Sequence, residues 1–174
     1  NCIDYKTKKI TRFYPKSINK ECTTNIINRL LKHSDGNVYA FCNRSVFKCS
    51  MNQTVETVFP DIAIPSPTYS VAQAPDKDIY IGTESNGLYI YSENWKLKKH
   101  VPIDGIIATI LPDNNGDIWL GLDETGICLF NKNKQTFTWL HKDNTNLNNN
   151  SIRTFVSYGD SSILVGTFRG LNIL

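Results

Sequence analysis

Gly116-Asp117-Ile118-Trp119-Leu120-Gly121 is the stretch whose recurrence decides the architecture. It is echoed by Lys77-Asp78-Ile79-Tyr80-Ile81-Gly82, by Gly36-Asn37-Val38-Tyr39-Ala40-Phe41 and by Ser162-Ile163-Leu164-Val165-Gly166. The equivalent aliphatic residues Val38, Ile79, Ile118 and Ile163 recur with a period of about 40 residues, which is the spacing of β-propeller blades.

Working outward from the third copy, Ile106 to Leu111 forms an apolar run that ends in the turn cluster Pro112-Asp113-Asn114-Asn115-Gly116. Asn and Gly accept the positive φ of a tight reversal, so this reads as strand, hairpin, strand. The second strand, Asp117 to Leu122, stops at Asp123-Glu124-Thr125-Gly126. A third runs over Ile127-Cys128-Leu129-Phe130, and a fourth over Thr136 to Leu140. Four short strands separated by Gly/Asn/Asp turns make one antiparallel sheet of blade size.

The same grammar predicts strands at 26–32, 37–42, 46–50 and 54–58 in the first copy, and at 69–74, 78–83, 87–91 and 96–101 in the second. The last copy supplies 152–157, 162–167 and 170–174 and no fourth strand. At the start, Asn1-Cys2-Ile3-Asp4-Tyr5 reads as a third strand and Lys9 to Tyr14 as a fourth. The expected fold is all-β, a partial propeller of about four blades. It divides into 1–14 (end of a preceding blade), blades at 26–58, 69–101 and 106–140, and an incomplete blade at 152–174. Because the third strand appears at both ends, the chain is expected to be a piece of a larger propeller; a self-contained small propeller with overlapping ends is the alternative. An uncovered terminal repeat is unstable by itself, since repeats bury their cores against neighbours.

Composition places limits on function. The chain is 40% hydrophobic and 20% charged, an ordinary globular balance. Its net charge of +3 is spread out, with Lys6-Thr7-Lys8-Lys9 and Lys96-Leu97-Lys98-Lys99-His100 the densest basic spots, which does not make the continuous basic stripe of a nucleic-acid binder. No window approaches the roughly 20 apolar residues of a membrane span, so any anchor or export signal is expected outside this stretch.

Five cysteines (Cys2, Cys22, Cys42, Cys49, Cys128) cannot all pair, and they form no metal-binding spacing with His33, His100 or His141. Closing the hairpin around Asn43-Arg44-Ser45 sets Cys42 near Val46 and Cys49 near Tyr39, so those two cysteines are not opposite. Structural zinc and other cofactors are not expected. The acidic pairs Asp76/Asp78 and Asp113/Asp117 fall in strand-connecting turns, where Asp caps the reversal, whereas Asp123/Glu124 lies in a second-to-third strand loop. No nucleophile elbow or phosphate-binding glycine loop is present. Of the three tryptophans, Trp119 shares a strand position with Tyr80 and Tyr39 and is expected between blades. Trp139 is expected to pack on the outer strand. Trp95 has no counterpart in the other copies and could contact a partner.

Two longer motifs carry a resemblance. The phrase Ile107-x-x-Ile110-x-x-Asp113-x-x-Gly116-Asp117-Ile118-Trp119-Leu120-Gly121-x4-Gly126-Ile127, with the connector from Phe137 through Asn144, Leu147, Asn150 and Ile152, resembles the two-component regulator propeller repeat. The likeness is densest over 107–174, holds over 69–91 and thins over 1–58, where Phe41 replaces the second-strand glycine and Cys22-Thr23-Thr24-Asn25 stands in the linker.

The resemblance implies a periplasmic sensor region of a hybrid two-component histidine kinase, detecting oligosaccharides, paired as a homodimer in the parent protein and joined to the membrane through a segment outside this chain. Kinase chemistry would lie outside it as well. In such a propeller the blade-to-blade linkers and the second-to-third strand loops share one face bordering the central channel. That face would collect Glu84, Asn86, Asp123, Glu124, Asn148, Asn149, Asn150, Arg153, Phe168 and Arg169. Amides, carboxylates and Arg suit sugar hydroxyls, and Phe168 offers an apolar face. An interaction scaffold, or a propeller lyase or hydrolase with a His beside an acid on that face, remains open. None of the three histidines is expected there.

Overall fold

A computed structural model describes residues 2–11, 26–42, 45–50, 55–57 and 64–174. Its strands are β1 (Cys2–Ile3), β2 (Ile10–Thr11), β3 (Arg29–Lys32), β4 (Val38–Phe41), β5 (Val46–Cys49), β6 (Val55–Thr57), β7 (Thr68–Gln73), β8 (Ile79–Thr83), β9 (Leu88–Tyr91), β10 (Leu97–Val101), β11 (Ile107–Pro112), β12 (Asp117–Leu122), β13 (Gly126–Asn131), β14 (Thr136–Leu140), β15 (Ile152–Tyr158), β16 (Ser162–Thr167) and β17 (Gly170–Ile173). They form antiparallel meanders β3-β4-β5-β6, β7-β8-β9-β10, β11-β12-β13-β14 and β15-β16-β17, with β1-β2 as a separate hairpin. The inner strands β3, β7, β11 and β15 adjoin one another in that order. This is a partial propeller. Phe13, Tyr14 and the linker Cys22 to Asn25 lie outside the described residues.

Side-chain alternation divides each middle strand between two neighbouring blades, because successive residues point to opposite faces of a sheet. On β8, Ile79 and Ile81 join Leu31, Tyr39, Phe41 and Val46 of the first blade. The residue between them, Tyr80, joins Ile107, Ile118, Leu120 and Phe130 of the third. On β12, Ile118 and Leu120 face the second blade, while Trp119 packs with Ile152, Phe155 and Val165 of the fourth. Strands buried on both faces read as continuous apolar runs, which is why the middle strands looked uniformly hydrophobic. Each fully buried Ile or Leu contributes about 1.5–3 kcal/mol.

The recurring glycine has a steric cause. A Cβ on Gly121 would fall 2.5 Å from Ile152 Cγ2, and one on Gly82 would fall 2.6 Å from Ile107 Cγ2. The next blade's first inner residue occupies the space a side chain would take. At the first junction the volumes are exchanged: Phe41, fully buried, stands at the glycine position, and the smaller Thr68 stands where Ile107 and Ile152 stand in later blades.

Some expectations are corrected. The first inner strand is shorter than expected, β3 beginning at Arg29, although Asn28 N still donates to Phe41 O at 2.8 Å. The hairpin after β4 is one residue tighter than expected: Cys42 N donates to Ser45 O, so Phe41 opposes Val46 and Val38 opposes Cys49. Cys42 and Cys49 are still not opposite. Trp139 is 37% exposed and Phe137 41%, since β14 faces outward; Phe137 stacks on Phe130 at 5.0 Å.

Trp95 is a junction residue rather than a free contact. Its ring lies 4.6 Å from Tyr39 and 5.7 Å from His33 of the first blade, and its backbone takes φ 61° to reach them. Leu30 is 66% exposed on β3, and Leu171 and Ile173 are 62% and 64% exposed on β17.

Candidate functional site

The loops expected to form a ligand face are held by backbone hydrogen bonds between blades. Ser151, at the end of the linker into β15, is the hub: its hydroxyl accepts from Glu124 N at 3.2 Å and its carbonyl accepts from Phe168 N at 2.9 Å. Gly126 N donates to Asn150 O at 2.8 Å, and Asp123 N to Ile106 O at 3.0 Å. Glu124 takes φ 68°, the left-handed turn that lets Gly126 start β13. These bonds bring the β12–β13 loop, the linker and the β16–β17 loop together.

At their meeting point Arg153, on β15, donates from Nη1 to Asp123 Oδ2 at 2.9 Å, and its guanidinium carbon lies 5.5 Å from the centre of the Phe168 ring. Phe168 is 69% exposed. The second carboxylate oxygen, Asp123 Oδ1, is buried without a hydrogen-bond partner. The arrangement is an exposed aromatic plate backed by a cation, with a carboxylate acceptor beside it. Chemically it offers stacking and hydroxyl recognition, both suited to a polar ring.

The three asparagines serve the linker itself. Asn149 Oδ1 accepts from Ser151 N at 2.8 Å, and Asn150 Oδ1 from Lys142 N at 2.8 Å. Asn148 Oδ1 accepts from the Thr167 hydroxyl at 2.7 Å, while its amide nitrogen reaches Arg169 O at 3.5 Å. Their amide oxygens are thus engaged in holding the loop. Arg169 N donates to Thr167 Oγ1 at 3.2 Å, and the residue is exposed.

Glu84 and Asn86 sit at the preceding junction, apart from the Asp123, Arg153 and Phe168 group. Glu84 N donates to Pro67 O at 3.0 Å, and Asn86 N to Thr83 Oγ1 at 3.0 Å. Sequence reasoning missed two things on this face. His100 comes to it from β10, its Nε2 lying 2.7 Å from Asn86 O and its ring stacked 4.4 Å from Tyr89. His141 lies on the linker with Nδ1 3.7 Å from Asp143 Oδ2. Following β10 toward its C-terminal end would have found His100.

The acidic pairs on the opposite face are structural. Asp113 Oδ1 accepts from Asn115 N and Asp117 N, its Oδ2 from Trp119 Nε1, and Asp117 Oδ1 from Asn131 Nδ2. Asp76 and Asp78 both clasp Lys132 of the third blade, and Asp78 also takes Lys98 at 2.7 Å.

No family model matches the sequence, and no curated protein matches it. Solved structures do. The extracellular domain of a candidate one-component system from B. thetaiotaomicron superposes with a TM-score of 0.79 at 18% identity, covering 98% of this chain and 24% of that one. The extracellular domain of a candidate hybrid two-component system from the same organism gives 0.75 at 25% identity over 99% of this chain and 24% of that one. A virginiamycin B lyase from Staphylococcus aureus gives 0.70 at 16% identity, covering 99% and 61%. The chain spans about a quarter of the length of the sensor domains it matches. In fold, it is an open arc of β-propeller of the kind found in the extracellular domains of candidate hybrid two-component systems.

Proposed function

We propose that this chain is a ligand-sensing segment of an extracytoplasmic, periplasmic sensor in a hybrid two-component system, that it binds glycan-derived oligosaccharides, and that it signals by altering how two sensor domains pair. The observation that carries the reading is the Phe168 plate stacked on Arg153, with Asp123 beside it, on the loop face. An exposed aromatic ring backed by charge suits the apolar face and hydroxyl edge of a sugar. The likeness in fold to extracellular domains of candidate hybrid two-component systems supports the setting. Binding would shift the population of pairing geometries, and the kinase and output steps would lie elsewhere in the parent protein.

Melting the chain against a panel of plant and host glycan oligosaccharides tests this. The reading expects one sugar class to raise the melting temperature, and expects Phe168→Ala to abolish that rise. No shift with any sugar sinks it.

A lyase reading draws on the Staphylococcus aureus structure and on His141 beside Asp143. Their 3.7 Å separation exceeds a hydrogen bond, so this histidine is not oriented as an activated base in this geometry. Product release from a sugar or cyclic peptide, lost in His141→Ala, would favour it.

A further inference from the structure

Gly82 and Gly121 leave holes that the next blade fills, with Ile107 and Ile152. Gly166 takes the same place on β16, opposite Thr154 on one side and Leu171 on the other. Among the described residues, a Cβ added there would meet Thr154 of its own sheet and nothing from another blade. The hole at Gly166 is open.

The side chains around it complete a junction face. Val156 opposes Leu164 and Leu164 opposes Ile173, the register that sets Leu111, Trp119 and Leu129 on one side of the third blade. There, Leu111 and Trp119 pack against Ile152, Phe155 and Val165 of the fourth. On the fourth blade, Val156, Leu171 and Ile173 are exposed. A contiguous exposed apolar patch marks a site of association.

The matching knob is on the same molecule. Ile27 precedes Leu30 by three residues, as Ile107 precedes Ile110 and Ile152 precedes Phe155. Leu30 opposes Ala40 as Ile110 opposes Leu120 and Phe155 opposes Val165. Ile107 and Ile152 are fully buried, whereas Ile27 is 46% exposed and Leu30 stands out beside it. Ala40, Cys42 and Phe47, farther out on that side, are already buried, which leaves β3 and the residues leading into it as the line of contact.

Two further features favour this match. Ser70, opposite Gly82, donates its hydroxyl to Ile107 O at 2.6 Å across the second junction, and Thr154, opposite Gly166, carries the same group. At the first junction the bulky Phe41 stands in the glycine place and meets only the small Thr68, so the Ile27 knob is suited to a glycine hole such as that at Gly166. Strands β3 and β15 stand first and last in the order of inner strands, so this knob and this hole do not meet within one molecule. A knob that fits a hole elsewhere on the same surface makes a head-to-tail contact between copies.

We infer that the β15–β17 face is an interaction surface whose partner is a second copy of this chain, Ile27 of one copy entering beside Gly166 of the other and Leu30 lying against Val156 and Leu164. This contact does not rest on the Phe168 site.

Sedimentation velocity of the whole chain across a concentration series tests the contact. Association is expected. Ile27→Asp and Leu171→Asp, each at a position exposed in the single copy, should weaken it about tenfold or more, the worth of one interfacial anchor, and leave the melting temperature of the dilute protein unchanged. Mixing the two variants should restore a one-to-one pair and no larger species, because each keeps the half that the other lacks. A monomer at every concentration would overturn the inference and leave the face to a different occupant. Association that survives Ile27→Asp, as expected if two β15–β17 faces met each other, or variants that do not pair when mixed, would overturn it as well.

Discussion

Ile152 Cγ2 occupies the place a Cβ on Gly121 would need, 2.5 Å away, and Thr109 Cγ2 presses from the other side at 2.5 Å. The repeated glycine is therefore a contact with the next blade and has no part in ligand chemistry. Gly121→Ala is expected to destabilise the chain by about 2–3 kcal/mol through overpacking. At Gly166 an added Cβ would meet Thr154 Cγ2 and Thr154 O of its own sheet and nothing from a following blade, so Gly166→Ala should cost about 1 kcal/mol. Urea midpoints at constant m-value compare them, and equal costs would refute the inter-blade account.

Trp95 closes the first junction by setting its ring against His33, Tyr39, Phe41 and Tyr91. Its indole N–H is buried without a partner, so the residue contributes through apolar area and stacking. Trp95→Ala should cost about 3–5 kcal/mol. Trp95→Phe should recover most of that by keeping a ring while removing the orphan donor. Thermal melts with near-ultraviolet circular dichroism distinguish the two. A silent Trp95→Ala would return the residue to a surface role.

Asp35 links acid stability to the same junction. Burial opposes its ionisation, but this is outweighed by hydrogen bonds from Asn37 N–H, the Asn37 side chain, Tyr39 Oη and His33, which bring the carboxyl down to about 2 from 3.8. A carboxyl whose folded pKa is depressed stabilises the fold above its unfolded pKa and loses that contribution as pH falls through the folded value. The chain should therefore lose stability between about pH 4 and pH 2, by roughly 1 kcal/mol from this group once solvent screening is counted. Asp35→Asn should flatten that limb of a stability profile; an unchanged acid limb would exclude Asp35 as its source.

Blade phase and strand content were legible because the Asp-Ile-Trp-Leu-Gly phrase combines a turn, a doubly buried strand and a close approach, each with a distinct residue requirement. The loop face was legible in part. Asp123, Arg153 and Phe168 do meet, since strand order fixes which loops share a face. The asparagine run suggested ligand amides, but Asn is also the residue that bonds neighbouring backbone, and Asn149 and Asn150 do so. Trp95 and the Asp76–Lys132 clasp were not legible. Both depend on which turn of one blade abuts which turn of the next, a relation that no single repeat encodes. His33 to Trp95 and Asp76 to Lys132 are two solutions at equivalent junctions, one aromatic and one ionic.

The ionic solution gives a last expectation. Lys132 reaches across the blade junction to Asp76 and to Asp78, whose side chain is 7% exposed. Although burial works against its charge, the hydrogen bonds to the two carboxylates raise the Lys132 pKa. Asp76 shows the reciprocal effect, lowered by Lys132 despite burial. Removing the cation leaves Asp78 with Lys98 and leaves Asp76 beside a second carboxylate without its counter-ion. Lys132→Met should cost about 1–3 kcal/mol, more than a surface pair and less than a fully buried one. Because the loss comes from stranded charge, adding Asp76→Asn to Lys132→Met should restore part of the stability. A double-mutant cycle on urea midpoints measures this coupling, and strictly additive losses would show that Lys132 acts through its alkyl packing.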